Sequence, residues 1–140
     1  MASDILTSAQ QSTLRAVLNR IIPADEFPSG WEAGAGAYVL GQLAGDLSPR
    51  LGEICAGLDA LEEEARSAGT ESFASLPAAE QDALLSRLER SQVDAIWPID
   101  PAAFFELLLT LTIEGFYADP GNGGNRDAVA WRMIGFTGQP

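Results

Sequence analysis

Two glutamates, Glu106 and Glu114, lie eight residues apart in the apolar stretch AAFFELLLTLTIEGFY, and the glycine-rich run ADPGNGG follows at once. On a helix that spacing brings two carboxylates near one face, and a carboxylate pair is the minimal equipment for acid/base hydrolysis. No nucleophile or oxyanion motif accompanies the pair. The residues therefore favour a structural reading, in which the carboxylates are buried and bonded to arginine or to backbone N–H groups of the following loop. Arg126 and Arg132 are the nearest arginines in sequence.

The glycine-rich loop admits three chemistries. Gly121, Gly123 and Gly124 precede an expected helix start, where backbone N–H groups can hold an anion. A Walker loop needs a lysine, and the chain has none; a dinucleotide fingerprint needs a preceding strand and a spacing that is not met. Counted from Asp119 as a calcium loop, glycines occupy the third and fifth positions and Ala130 stands where a bidentate glutamate belongs, so an EF-hand is excluded. What remains is a tight connection between two helices, built from residues that adopt positive φ cheaply.

Composition narrows the chemistry further. The 140 residues suffice for one domain, read here as a single unit over 1–140, and the 46% apolar content predicts a folded chain. All eight basic residues are arginine, against 20 acidic ones, for a net charge of −12. Such a surface repels phosphate backbones and anionic lipid, which argues against nucleic acid and leaves a basic protein face as a partner. Without histidine there is no Ser-His-Asp triad, His-ligated zinc or histidine haem ligand, and a lone Cys55 excludes an internal disulfide or an iron–sulfur cluster. No apolar run is long enough to span a bilayer, and MASDILTSAQQ has neither a signal peptide's character nor a twin-arginine pair. The sequence as it stands reads as cytoplasmic, with the periplasm as the alternative if a signal has been removed or a partner is exported.

The elements that position these residues are helices. Thr7 and Gln10 form a capping box, Leu14, Val17, Leu18, Ile21 and Ile22 follow one buried face, and Pro23 stops the helix. After the loop PADEFPSG, a helix is expected over about 31–43 despite Gly34, Gly36 and Gly41. The next has Ser48 as cap, Pro49 in its first turn, Leu51, Ile54, Leu58 and Leu61 as its stripe and Gly69 at its exit. Its EEE run, Glu62 to Glu64, reads as a solvated face, and Cys55 as a small buried apolar residue. A helix over about 77–90 turns Leu84, Leu85 and Leu88 inward. Asp100-Pro101 opens a helix apolar almost all round, expected to be central and buried. RDAVAWRMIGF gives a short last helix. Trp31, Trp97, Trp131, Tyr38, Phe116 and Tyr117 could stack a sugar, but aromatics at helical spacing favour core or interface. The fold class is all-α: one bundle of about six helices with a Gly/Asn-rich loop before the last.

Two segments, NRIIPADEFPSG and TIEGFYADPGNGGNRDAVAWRMIGFTG, resemble the gluconate 2-dehydrogenase subunit 3 family. The match rests on the IIP stop with its acidic pair, the EGFY helix end, the GGN turn and the W-x-x-IGF close. The resemblance implies a non-catalytic small subunit that assists the folding, assembly or export of a large dehydrogenase oxidising a sugar or sugar acid. It also implies that FAD sits in that large subunit, of glucose–methanol–choline oxidoreductase type, with no cofactor on this chain, and that a cytochrome subunit carries electrons away. Family members often begin with a twin-arginine signal, which this sequence lacks. On this reading the partner surface includes one loop with Asp25, Glu26 and Trp31 and a second with Asp119, Asn122, Gly123, Gly124 and Asn125. The EGFY residues Glu114, Gly115, Phe116 and Tyr117 belong to the same partner-binding or structural motif, in which Glu114, Gly123, Gly124, Asn125 and Trp131 are expected to hold the last two helices together. Two readings of other classes stand beside it: a free-standing sugar- or anion-binding module, and an acid/base enzyme built on Glu106 and Glu114.

Overall fold

Helix α1, Ser8–Ile21, begins with the expected capping box: the Gln10 N–H donates to Thr7 Oγ1 and the Thr7 N–H to Gln10 Oε1, both at 3.0 Å. Each bond satisfies a backbone donor that the helix cannot. Leu14, Val17 and Leu18 are fully buried, whereas Ile21 and Ile22 at the far end are half-buried. The computed structural model describes residues 5–23 and 30–117. The middle of the PADEFPSG loop, residues 24–29, and the glycine-rich loop therefore lie outside the described residues, as does the expected last helix.

The helix expected over 31–43 is divided in two. Trp31–Ala35 forms a wide π-helical turn in which Gly34 takes φ +107°, and α2 spans Gly36–Ala44. Only glycine reaches that φ without a Cβ clash, so Gly34 is the residue that permits the break. The indole of Trp31 then lies against Gly36, where a Cβ would come within 2.6 Å of the ring.

Helix α3, Leu51–Ser67, differs from its expected start. Ser48–Arg50 forms a short 3-10 turn, and Arg50 precedes α3 without a side-chain cap, so Ser48 does not cap it. Its exit is as expected: Gly69 has φ +91°, and the N–H groups of Gly69 and Thr70 return to the carbonyls of Arg66 and Ala65. Helix α4, Ala78–Glu89, closes in the same pattern through Ser91 and Gln92, with Ser91 at φ +56° where glycine is usual.

Helix α5, Pro101–Tyr117, starts on Asp100, whose carboxylate accepts the Ala103 N–H at 3.1 Å, with Pro101 in the first turn. It packs against α1, α2, α3, α4 and the π turn, which makes it the central element. It is not buried all round, however. Phe104, Leu108, Leu111, Thr112, Gly115 and Phe116 face inward, while Glu106, Thr110, Ile113, Glu114 and Tyr117 face solvent. Where α5 crosses α3, the Phe104 ring fills the space above Gly57, and a Cβ there would approach it to 2.3 Å. Among the described residues there are five α-helices and no strand.

Candidate functional site

The EGFY residues end α5 on the π turn. Gly115 allows the close approach, since a Cβ would meet Tyr38 Cβ at 2.9 Å and Ala35 Cα at 3.0 Å. Phe116 is buried in a small apolar cluster with Ala33 and half-buried Ile22, separate from the main core. Tyr117, 44% exposed, sets its ring edge-on to Phe116 with centroids 5.1 Å apart. The Trp31 N–H donates to Asn19 Oδ1 at 3.2 Å, tying the turn to α1. The Tyr38 hydroxyl donates to Glu114 Oε1 at 3.3 Å. Partial burial raises the Tyr38 pKa, and the neighbouring Glu114 carboxylate pushes it the same way.

Trp31, Glu114, Gly115, Phe116 and Tyr117 thus gather at one junction. Asp25, Glu26, Asp119, Asn122, Gly123, Gly124, Asn125 and Trp131 lie outside the described residues. Ile22, Ala33 and Phe116 come from the end of α1, the π turn and the end of α5. The described ends of both loop-bearing segments therefore meet at a single apolar cluster.

The carboxylate pair of α5 is placed differently from its sequence reading. Glu106 and Glu114 are both exposed, not buried. Eight residues of helix separate their backbones by about 12 Å along the axis. Tyr38 is the hydrogen-bond partner of Glu114 among the described residues.

The buried carboxylates are instead Glu62 and Glu64, in the run that reads as solvated. Glu64, with no exposed side-chain surface, accepts the N–H groups of Asp94 (3.1 Å) and Ala95 (2.6 Å) and the Trp97 indole N–H (3.0 Å). Arg87 stands 3.7 Å from Glu64 Oε2, the oxygen that also takes the Asp94 N–H, and bonds the Asp94 carboxylate and the Gln92 carbonyl. Glu62 accepts the Thr13 hydroxyl at 2.8 Å and the Phe73 N–H at 3.0 Å. The signal was present in the helical angle. With about 100° per residue, the stripe of Ile54, Leu58, Leu61 and Ala65 puts Glu62 and Glu64 on its two flanks and Glu63 directly opposite. Only Glu63 is exposed.

A shallow groove of about 460 Å³ runs between the start of α1 and the middle of α3, with Ile96 and Pro98 on its lip. Among the described residues no three histidine, cysteine, aspartate or glutamate side chains gather in a metal-binding group, and no helix is long and apolar enough to cross a membrane. Cys55 is half-buried rather than buried, and that burial raises its thiol pKa.

No curated protein and no solved structure matches the chain. The family model described as gluconate 2-dehydrogenase subunit 3 matches residues 8–138, from the first residue of α1 to two residues short of the end of the sequence. That span takes in the whole bundle, the EGFY junction and the glycine-rich segment, and the chain belongs to the gluconate 2-dehydrogenase subunit 3 family.

Proposed function

We propose that the chain is a non-catalytic small subunit that binds and stabilises a large FAD-dependent dehydrogenase of glucose–methanol–choline type, acting on a sugar or sugar acid. The family match over residues 8–138 carries this reading. The composition supports it: with no histidine, no lysine and one cysteine, the chain is poor in the groups that hold redox cofactors. The junction supports it too, because the described ends of the two motif-bearing segments meet at one apolar cluster of Ile22, Ala33 and Phe116. A partner docking there would meet Tyr117 and Ile113, both more than 40% exposed.

The test is co-expression with the flavoprotein gene nearest to this one, followed by purification through a tag on this chain. A yellow, stoichiometric complex with sugar-dependent dye reduction is expected. The flavoprotein expressed alone should be less soluble or less active. A colourless protein that purifies by itself, with a flavoprotein equally soluble and active in its absence, overturns the proposal and leaves the free-standing binding module.

A further inference from the structure

Ile96 is 97% exposed. Single exposed apolar side chains are ordinary, but the neighbours of this one are firmly held. The N–H groups of Asp94 and Ala95 and the indole of Trp97 are anchored on buried Glu64, and Arg87 holds Asp94 and Gln92. Trp97 also packs on Phe104, with ring centroids 5.8 Å apart. The loop is thus fixed on both sides of Ile96 by a buried carboxylate, and the side chain it presents most fully to water is apolar. Preorganisation of this kind lowers the ordering cost of binding.

Beside Ile96 lies the groove between α1 and α3. Its floor is made of small side chains, Ala9, Ala56 and Ala60, and its rim carries Asp59 and Glu63. Glu63 is paired with Arg66 at 2.6 Å, but Asp59 takes only the Gln10 amide and has no cationic partner among the described residues. We propose that this face docks the large partner subunit, which supplies an apolar pocket for Ile96 and a lysine or arginine that reaches Asp59. The inference rests on reading the chain as a subunit. A second copy of this chain fits the face poorly. A two-fold contact would set the Asp59 side of the groove, whose Glu63 is neutralised by Arg66, against its own copy, between chains that each carry a net charge of −12. A cationic partner is the complementary choice.

The experiment uses the co-purified complex and the isolated chain, each as wild type, Ile96→Glu and Asp59→Arg. Both positions are on the surface, so neither change should move the urea midpoint of the isolated chain. In the complex, Ile96→Glu is expected to weaken association at least about tenfold, as for an apolar anchor removed from an interface centre. Asp59→Arg should slow association and reduce its salt sensitivity. Wild-type affinity in both variants overturns this docking face while leaving the subunit reading intact. Failure of the wild-type chain to co-purify overturns the subunit reading itself. A fall in the isolated Ile96→Glu chain's stability would assign Ile96 to a contact within the chain, and a wild-type dimer lost in the variant would assign it to self-association. Either result also overturns the proposal.

Discussion

Three adjacent glutamates on α3 have the same chemistry and opposite roles. Glu64 satisfies three N–H donors from a loop that has no regular structure of its own, and Glu63 pairs with Arg66 one turn away in water. Removing an acceptor leaves three part-buried donors without their partner, at about 1 kcal/mol each, the low end of the range for unsatisfied donors. An exposed i,i+3 ion pair contributes about 0.5 kcal/mol or less. Glu64→Ala should therefore cost about 3 kcal/mol or more, and should alter the emission of Trp97, while Glu63→Ala stays within about 0.5 kcal/mol. Urea unfolding of the two variants decides it. Equal midpoints would mean that Glu64 does not hold the loop. Composition alone could not separate these residues, because a charged triplet is usually a solvated face; their angles relative to the apolar stripe do separate them.

At the scale of elements, most of the bundle was legible and the departures have local causes. The capping box of α1, the glycine exit of α3, the inward leucines of α4 and the Asp100-Pro101 start of α5 all follow from short-range rules. Two features did not. The break at Gly34 sits in the turn against which α5 packs closely at Gly115, a tertiary arrangement that helical periodicity does not encode. The exposed face of α5 carries Ile113 and Tyr117, so hydrophobic content overstated how much of that helix the chain itself covers. Of the residues assigned to a partner surface, the ones at the junction were visible as the EGFY motif, but their convergence with Ile22 and Ala33 required the fold. Glycine substitutions read this out. A methyl group added at Gly52 in α3 would meet nothing within 4 Å, so Gly52→Ala should stabilise by about 0.5–1 kcal/mol through helix propensity alone. Gly115→Ala gains the same propensity but forces a methyl against the Ala35 backbone and Tyr38, and should cost about 1–3 kcal/mol. Thermal melts that moved the same way in both variants would show that α5 is not in close contact with the π turn.

For the whole molecule, charge sets the response to pH through two opposing effects. At neutral pH the net charge of −12 is a self-repulsion that works against the compact state. Lowering the pH toward the isoelectric point near 4.1 relieves it. Against this stands the Arg20–Asp82 pair, which joins α1 to α4 through two bonds of 2.8 and 2.9 Å. The bond from Arg20 holds the Asp82 pKa below its ordinary value of 3.8. A depressed carboxylate contributes stability that is fully present above the unfolded-state pKa and is lost as the pH falls through the lower, folded-state value. Its contribution is thus complete from neutrality down to about pH 4 and disappears below that. Because the Asp82 side chain is half exposed, solvent screening limits it to under about 1 kcal/mol. Urea midpoints should hold or rise from pH 7 to 5 and fall below about pH 4, and added salt should raise them at pH 7 by screening the repulsion. Asp82→Asn should lower the midpoint slightly at neutral pH and make the fall in acid shallower. An acid limb of unchanged steepness in that variant would show that the Arg20–Asp82 pair does not couple the two helices, and that general protonation of the acidic surface accounts for the loss.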